Sequence, residues 1–245
     1  MTSAPAATLS PWFVRPPSAD PLARIFCFPF SGSGASAFSA WPATLDDVEI
    51  CPVQFPGREN RLGHPHYGTY ENLATDLVEA LTPLLDRPFA FFAHCAGALP
   101  AYESVLALAE RGLPTPECLI VSGQMAPHDA AGDRMLAMSE SELRAEVEAF
   151  VRSRGIEPRP DMIAMGLMVL LRDHAAAAAY RRVEAVKVPC PVVVVHWRDD
   201  TDVSLAGLQG WRRYADSVEF RVVDGGHYDF MDAPHELRKL LTRWL

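Results

Sequence analysis

The sequence predicts an α/β fold, a mostly parallel sheet with helices on both faces, and three observations predict it. Short runs rich in Val, Ile and Phe alternate with longer segments of helical spacing along most of the chain. Runs such as PFAFFA at 88–93 and PVVVV at 191–195 are continuously apolar instead of alternating with polar residues, as strands buried on both faces are. Several of them end at Gly, Pro or Ser, where a loop can leave the sheet.

Residues 24–30 (RIFCFPF) read as a buried strand that leaves into the flexible stretch Ser31, Gly32, Ser33, Gly34. A helix is expected around 36–45. Residues 48–55 read as the next strand, stopped by Pro56 and Gly57, and 71–85 carries apolar spacing suited to a helix. The run 88–93 (PFAFFA) is a further strand, 96–111 reads as helix, and 119–122 as strand. Between 135 and 180 the strand signal disappears, and Ser139 with Glu142 forms a capping-box pattern ahead of helical sequence. That segment is expected to be a helical insertion that can serve as a lid over a site. Strands resume at 191–197 and 218–223, and a terminal helix is expected over 233–245.

With 245 residues, 49% of them apolar, the chain can bury a sizeable core, and a single domain over 1–245 is expected. Residues 1–10 show no basic segment leading into an apolar stretch, and no later apolar run approaches the length of a membrane span. A soluble, cytoplasmic, monomeric protein is therefore expected. The five cysteines are odd in number and never spaced as CxxC, which signals neither a disulfide framework nor a zinc site. A formal net charge of -9 argues against nucleic-acid binding, which needs a basic face.

The chemistry centres on Ala93, His94, Cys95, Ala96, Gly97, at the point where the PFAFFA strand turns into a helix. A nucleophile elbow needs small residues there, because strand and helix pack closely while the nucleophile projects above the sheet. The helix also points its positive end at residue 95, which favours a nucleophilic thiolate. An acid and a histidine follow in the chain order of α/β-hydrolases: Asp199, Asp200 and Asp202 after the 191–197 strand, and His227 after the 218–223 strand. Cys95 is the expected nucleophile and His227 the base. Asp200 is the expected orienter, with Asp199 and Asp202 as alternatives. The oxyanion hole is expected from the backbone N–H of Ala96 and one from Phe30 or Ser31. Cys27, Cys51, Cys118 and Cys190 lie in or beside apolar strands and read as core, and His94 as a packing or hydrogen-bonding neighbour of the elbow. His64 and His66 lack partners at metal spacing, and no metal or cofactor is expected. GSG at 32–34 lacks the spacing and lysine of a phosphate loop and reads as the oxyanion loop.

With these residues in view, the chain resembles the type II thioesterases that accompany polyketide and nonribosomal peptide synthetases. The resemblance spans nearly the whole chain and rests on FCFPFSGSGASAF at 26–38, CPVQFPGRENRL at 51–62, RPFAFFAHCAGAL at 87–99, VSGQMAP at 121–127 and GGH at 225–227. It implies an α/β-hydrolase with a mobile helical lid that acts on acyl groups borne by the phosphopantetheine arm of acyl or peptidyl carrier proteins. It also implies that Cys95, Asp200 and His227 are nucleophile, acid and base. The family usually reads Gly-His-Ser-x-Gly, whereas Ala93 and Cys95 stand here. With Ser, the acyl-enzyme is an oxygen ester and the step is downhill; with Cys it is itself a thioester, nearly isoenergetic with the substrate. Three functions follow as expectations: a thioesterase that hydrolyses carrier-bound acyl groups, a Cys-dependent acyltransferase that passes them to another carrier or an amine, and a non-catalytic carrier-binding module, against which Asp200 and His227 argue. Arg58, Arg61, Arg181 and Arg182 are candidate docking cations, although each reads first as a solvated or structural arginine.

Overall fold

The computed structural model describes residues 10–245. The N-terminal stretch read above lies, apart from Ser10, outside the described residues. Seven strands form one sheet in the order β2-β3-β1-β4-β5-β6-β7. These are β1 Ala23–Phe28, β2 Thr44–Leu45, β3 Val48–Pro52, β4 Phe89–His94, β5 Leu119–Ser122, β6 Val192–Trp197 and β7 Val218–Val223. All neighbours pair in parallel except β2 with β3. Helices α1 Tyr70–Leu81, α2 Ala98–Glu110, α3 Glu140–Ser153, α4 Pro160–Ala179 and α5 His235–Thr242 complete an α/β-hydrolase fold.

The period of two along each strand divides the core between two faces. Phe26, Phe28, Phe91, Val121 and Val194 pack with residues of α1 and α2. Ile25, Cys27, Phe92, Ile120 and Val195 pack on the other face with Trp41, Phe230 and the α5 residues Leu237 and Leu241. The continuous apolar runs are thereby explained. The four cysteines read as core, Cys27, Cys51, Cys118 and Cys190, are all buried.

The helix expected over 36–45 is not formed. Ala35–Phe38 makes one 3-10 turn, and Thr44–Leu45 is a strand that turns back onto Val48. Pro42 disfavours helical backbone in the residue before it. Asp46 and Asp47 take φ of 46° and 67°, the conformation of a two-residue I′ hairpin turn, which the sequence disguises because neither residue is glycine.

Between β5 and β6 the predicted helical segment forms α3 and α4. Ser139 and Glu142 make the expected reciprocal capping box. Gly155, at φ 72°, and Pro158 separate the two helices. The 20 residues of α4, at mean hydropathy 1.4, are long and apolar enough to cross a membrane, which corrects the expectation that no run approaches that length. In this fold α4 packs Ile163, Leu167, Leu170 and Ala176 inward and carries a buried ion pair at Asp173.

Candidate active site

Strand β4 ends at His94, and Cys95 opens a short 3-10 turn that leads into α2. Cys95 has φ 50°, a left-handed backbone that costs a non-glycine residue about 1–3 kcal/mol and that the buried surroundings must impose. Gly97 shows what imposes it. A Cβ at this position would stand 2.3 Å from the Pro29 carbonyl oxygen and 3.0 Å from that of Phe28, so the turn packs against the end of β1 with no space for a side chain. Cys95 remains half-buried while its neighbours Ala93 and Ala96 are buried.

The two other sequence-selected residues arrive from strand ends beside it. His227 follows β7, and its Nδ1 lies 2.8 Å from Asp200 Oδ2, on the loop after β6. Asp200 Oδ1 accepts the backbone N–H groups of Asp202 at 2.8 Å and Val203 at 3.0 Å, which fixes the carboxylate. Asp199 points to solvent, and Asp202 accepts from Arg134 Nε at 2.8 Å, so of the three aspartates Asp200 is the one that meets His227. Asp200, Asp202 and His227 bring three potential ligand atoms within 4.8 Å, but each is accounted for by these protein partners.

Burial works against a charge on His227, yet the hydrogen bond to Asp200, a side-chain hydrogen bond to Cys95 and the negative charge of both outweigh it and raise its pKa to about 10. Burial likewise opposes the Asp200 carboxylate, and the His227 hydrogen bond and charge hold its pKa below the ordinary value. The site therefore favours an imidazolium held against the Asp200 carboxylate. With Nδ1 given to Asp200, Nε2 is the atom left for the Cys95 sulfur.

His94 has the supporting place expected of it. Its Nδ1 lies 3.0 Å from Ser122 Oγ, which also accepts from Trp197 Nε1 at 2.9 Å, and its ring stacks on Phe230 at 4.0 Å. Burial first, then the charge on His227, pushes its pKa well down, so it packs as a neutral ring 4.6 Å from that of His227. A Cβ at Gly123 would stand 3.2 Å from both histidine rings.

A pocket of about 170 Å³ opens on Cys95. Its walls are Phe30 to Ser33, Val147, Phe150 and Val151 of α3, Met162, Gly166 and Leu170 of α4, and Met135 and Tyr228. Phe30 and Ser31 also line a small cavity shared with Ala96, so the three candidate oxyanion residues surround one space. A wider groove of about 630 Å³ lies at the sheet edge between Phe13–Ser18 and β3, and none of Cys95, Asp200 or His227 lines it.

For two of the candidate arginines the structural reading holds, and docking falls away. Arg58 and Arg61 are buried: Arg58 pairs with Asp173 at 2.6 Å, and Arg61 donates to the Gln54 carbonyl at 2.9 Å and lies over the Trp12 ring. Neither is a docking cation. Asp173 itself escaped the sequence reading, although one signal was available, an acid in line with the buried stripe Ile163, Leu167, Leu170, Ala176. For Ser122 and Trp197 no sequence signal distinguishes a site neighbour from a core residue.

The fold, with a cysteine at its strand-to-helix elbow and an Asp–His pair beside it, defines an α/β-hydrolase of the acyl-handling kind. Residues 23–245 match the family described as Thioesterase domain, and the chain belongs to that family, whose members hydrolyse thioesters. It is 32% identical to thioesterase PikA5 of Streptomyces venezuelae, over 90% of this chain and 80% of that one. It is 31% identical to the AMB antimetabolite synthetase AmbE of Pseudomonas aeruginosa over 96% of its own length, and spans 11% of that relative. Among solved structures, RedJ, a thioesterase from the prodiginine biosynthetic pathway of Streptomyces coelicolor, matches with a TM-score of 0.76 at 32% identity, covering 93% of each chain.

Proposed function

We propose that this chain is a type II thioesterase of polyketide or nonribosomal peptide biosynthesis, which removes acyl groups from the phosphopantetheine arm of carrier proteins through a covalent intermediate on Cys95. The observation that carries the reading is Cys95 at φ 50° on the elbow, beside a His227 that Asp200 holds at 2.8 Å. The roles of PikA5 as a thioesterase, of RedJ in the prodiginine pathway and of AmbE as a synthetase support the setting.

In this mechanism the Cys95 thiolate attacks the thioester carbonyl carbon, and the oxyanion accepts hydrogen bonds from the backbone N–H groups of Ala96 and of Phe30 or Ser31. The bond to the pantetheine sulfur breaks as His227 delivers its proton to that sulfur. Neutral His227 then takes a proton from water, the resulting hydroxide attacks the acyl carbon, and the bond between that carbon and Cys95 Sγ breaks, returning the electron pair to sulfur and releasing the free acid. The apolar wall of Phe150, Leu170 and Tyr228 receives the acyl chain, and segment 135–180 acts as the lid.

The cysteine supports a second reading. An acyl-Cys95 is a thioester, so it stays competent to pass its acyl group to another thiol or to an amine. Intact-mass spectrometry of the protein mixed with acyl-loaded carrier separates the two. Free acid released without any acceptor is the expected result. An adduct on Cys95 that discharges only when an amine or unloaded carrier is added makes the chain a transferase. An adduct on the Cys95→Ala variant overturns both.

A further inference from the structure

A second cluster of buried charge lies behind the candidate oxyanion loop. Arg58 is 2% exposed and Asp173 1%. The guanidinium forks onto both carboxylate oxygens, Nη1 donating to Oδ2 at 2.7 Å and Nη2 to Oδ1 at 2.6 Å. Tyr67 donates its hydroxyl to Oδ1 at 2.7 Å, and His66 Nε2 meets the same oxygen at 2.8 Å. Two further bonds reach the main chain of the loop. The Gly32 N–H donates to Asp173 Oδ2 at 2.7 Å, and Arg58 Nη1 donates to the Ser33 carbonyl at 2.9 Å. Gly32 takes φ 79°, open to glycine at little cost, and a Cβ there would stand 3.4 Å from Leu170 on α4.

One ion pair thus holds an amide of Gly32 and a carbonyl of Ser33, in the two residues that follow Ser31. The same small cavity is lined by Ser31, Ala96, Arg58 and Asp173. A buried ion pair is a poor source of net stability, because desolvation of both groups offsets their attraction. What this pair does supply is a fixed geometry for the turn.

We propose that Arg58 and Asp173 are positioning residues for the oxyanion hole: they hold the Ser31–Ser33 turn so that its amide and that of Ala96 converge on the oxyanion, and they tie α4 to the reaction centre. The proposal rests on the acyl-enzyme reading above.

The test compares two reactions of Cys95 in the same variants. Acylation by a short-chain N-acetylcysteamine thioester passes through an oxyanion; alkylation by iodoacetamide needs the thiolate but forms none. In Asp173→Asn, acylation falls about 10²-fold and in Arg58→Lys about tenfold, with alkylation kept within about twofold in both. The double variant Arg58→Met/Asp173→Leu removes both charges together, which buried pairs tolerate far better than loss of one. It folds, and its acylation stays about 10²-fold down because the Gly32 amide and Ser33 carbonyl have lost their partners. Recovery of acylation in the double variant overturns the proposal. So does a parallel loss of acylation and alkylation in the folded Arg58→Lys protein, or no loss in any variant. Failure of the parent reading is seen separately, as wild type that gives no adduct on Cys95, and both readings then fall.

Discussion

Two helices border the Cys95 thiol, and they are held in opposite ways. Helix α2, which begins just after the elbow, buries ten of its thirteen residues. Helix α3, which supplies Val147, Phe150 and Val151 to the pocket that opens on Cys95, buries only Leu143 among its fourteen. Its main hold on the site is aromatic, Phe150 meeting Tyr228 at 5.0 Å and Phe30 at 5.5 Å. Area removed from water scales with cohesion, so the elbow is over-determined while the wall facing it is weakly attached. A site built this way can keep one reaction geometry and still adjust to different acyl chains. Helix α4 stands between the two, with six buried residues, one of them Asp173.

The largest expected effect comes from disturbing the rigid side. In Gly97→Ala the added methyl meets the Pro29 carbonyl oxygen, and the elbow must move away from β1. Overpacking of this kind costs about 1–3 kcal/mol, a fall in Tm of about 3–10 °C, and displacement of Cys95 by about 1 Å costs a further 10²-fold or so in kcat. Thermal melts and thioester turnover check both. Wild-type stability and rate in this variant would mean that the elbow is as adjustable as α3, and the contrast between the two sides would vanish.

Next is the Asp–His pair, where Asp200→Asn and Asp199→Asn differ by one residue in sequence and completely in surroundings. We expect Asp200→Asn to lose about 10²-fold in kcat/KM. That is less than the ~10⁴ of a serine triad, because a thiol ionises more readily than an alcohol and leans less on its base. Asp199→Asn stays within about twofold. The pH dependence follows from the signs. His227 is raised from 6.5 to about 10, so its share of stability is complete below pH 6.5 and is lost as pH rises through about 10. Asp200 is lowered from 3.8, so its share is present above that value and lost as pH falls through its lower, folded value. The Tm advantage of wild type over Asp200→Asn is therefore widest between the two unfolded values, 3.8 and 6.5, shrinks progressively as pH rises from 6.5 toward about 10, and narrows again as pH falls below 3.8. A difference flat from pH 3 to 11 would show that the pair does not ionise as described.

The same contrast explains what the sequence could reveal. The six parallel strands and the positions of Cys95, Asp200 and His227 are legible because each depends on local pattern: a largely apolar run, then a turn, then the candidate site residue. Choosing Asp200 over Asp199 and Asp202 needs the loop's own hydrogen bonds, two backbone N–H groups onto Oδ1, which spacing cannot supply. The Thr44–Leu45 strand is hidden because a turn at φ above zero is made by Asp46 and Asp47 in place of glycine or asparagine. Arg58 and Asp173 are 115 residues apart, and no local pattern records that a surface-type arginine after Pro-Gly finds a buried acid on a helix. Long-range polar pairing is the part of the site that only the folded chain displays.

The smallest effect tests the weak side alone. Ser139 Oγ accepts the Glu142 N–H at 3.4 Å, and Glu142 Oε2 accepts the Ser139 N–H at 2.7 Å, so the first turn of α3 is closed by its own sequence rather than by packing. Ser139→Ala removes that cap at a cost of about 1 kcal/mol. If α3 opens on its own, amide exchange in α3 accelerates about fivefold while α2 and β4 amides exchange as before, and hydrolysis of short acyl groups, which lean least on the α3 wall, is unchanged. Equal acceleration in α2 and α3 would mean that the two helices open as one unit, and the adjustable wall would then have no separate existence. The cap is a discriminating place to ask because it touches neither the pocket nor the Arg58–Asp173 pair, so any change in the wall comes from the stability of α3 itself.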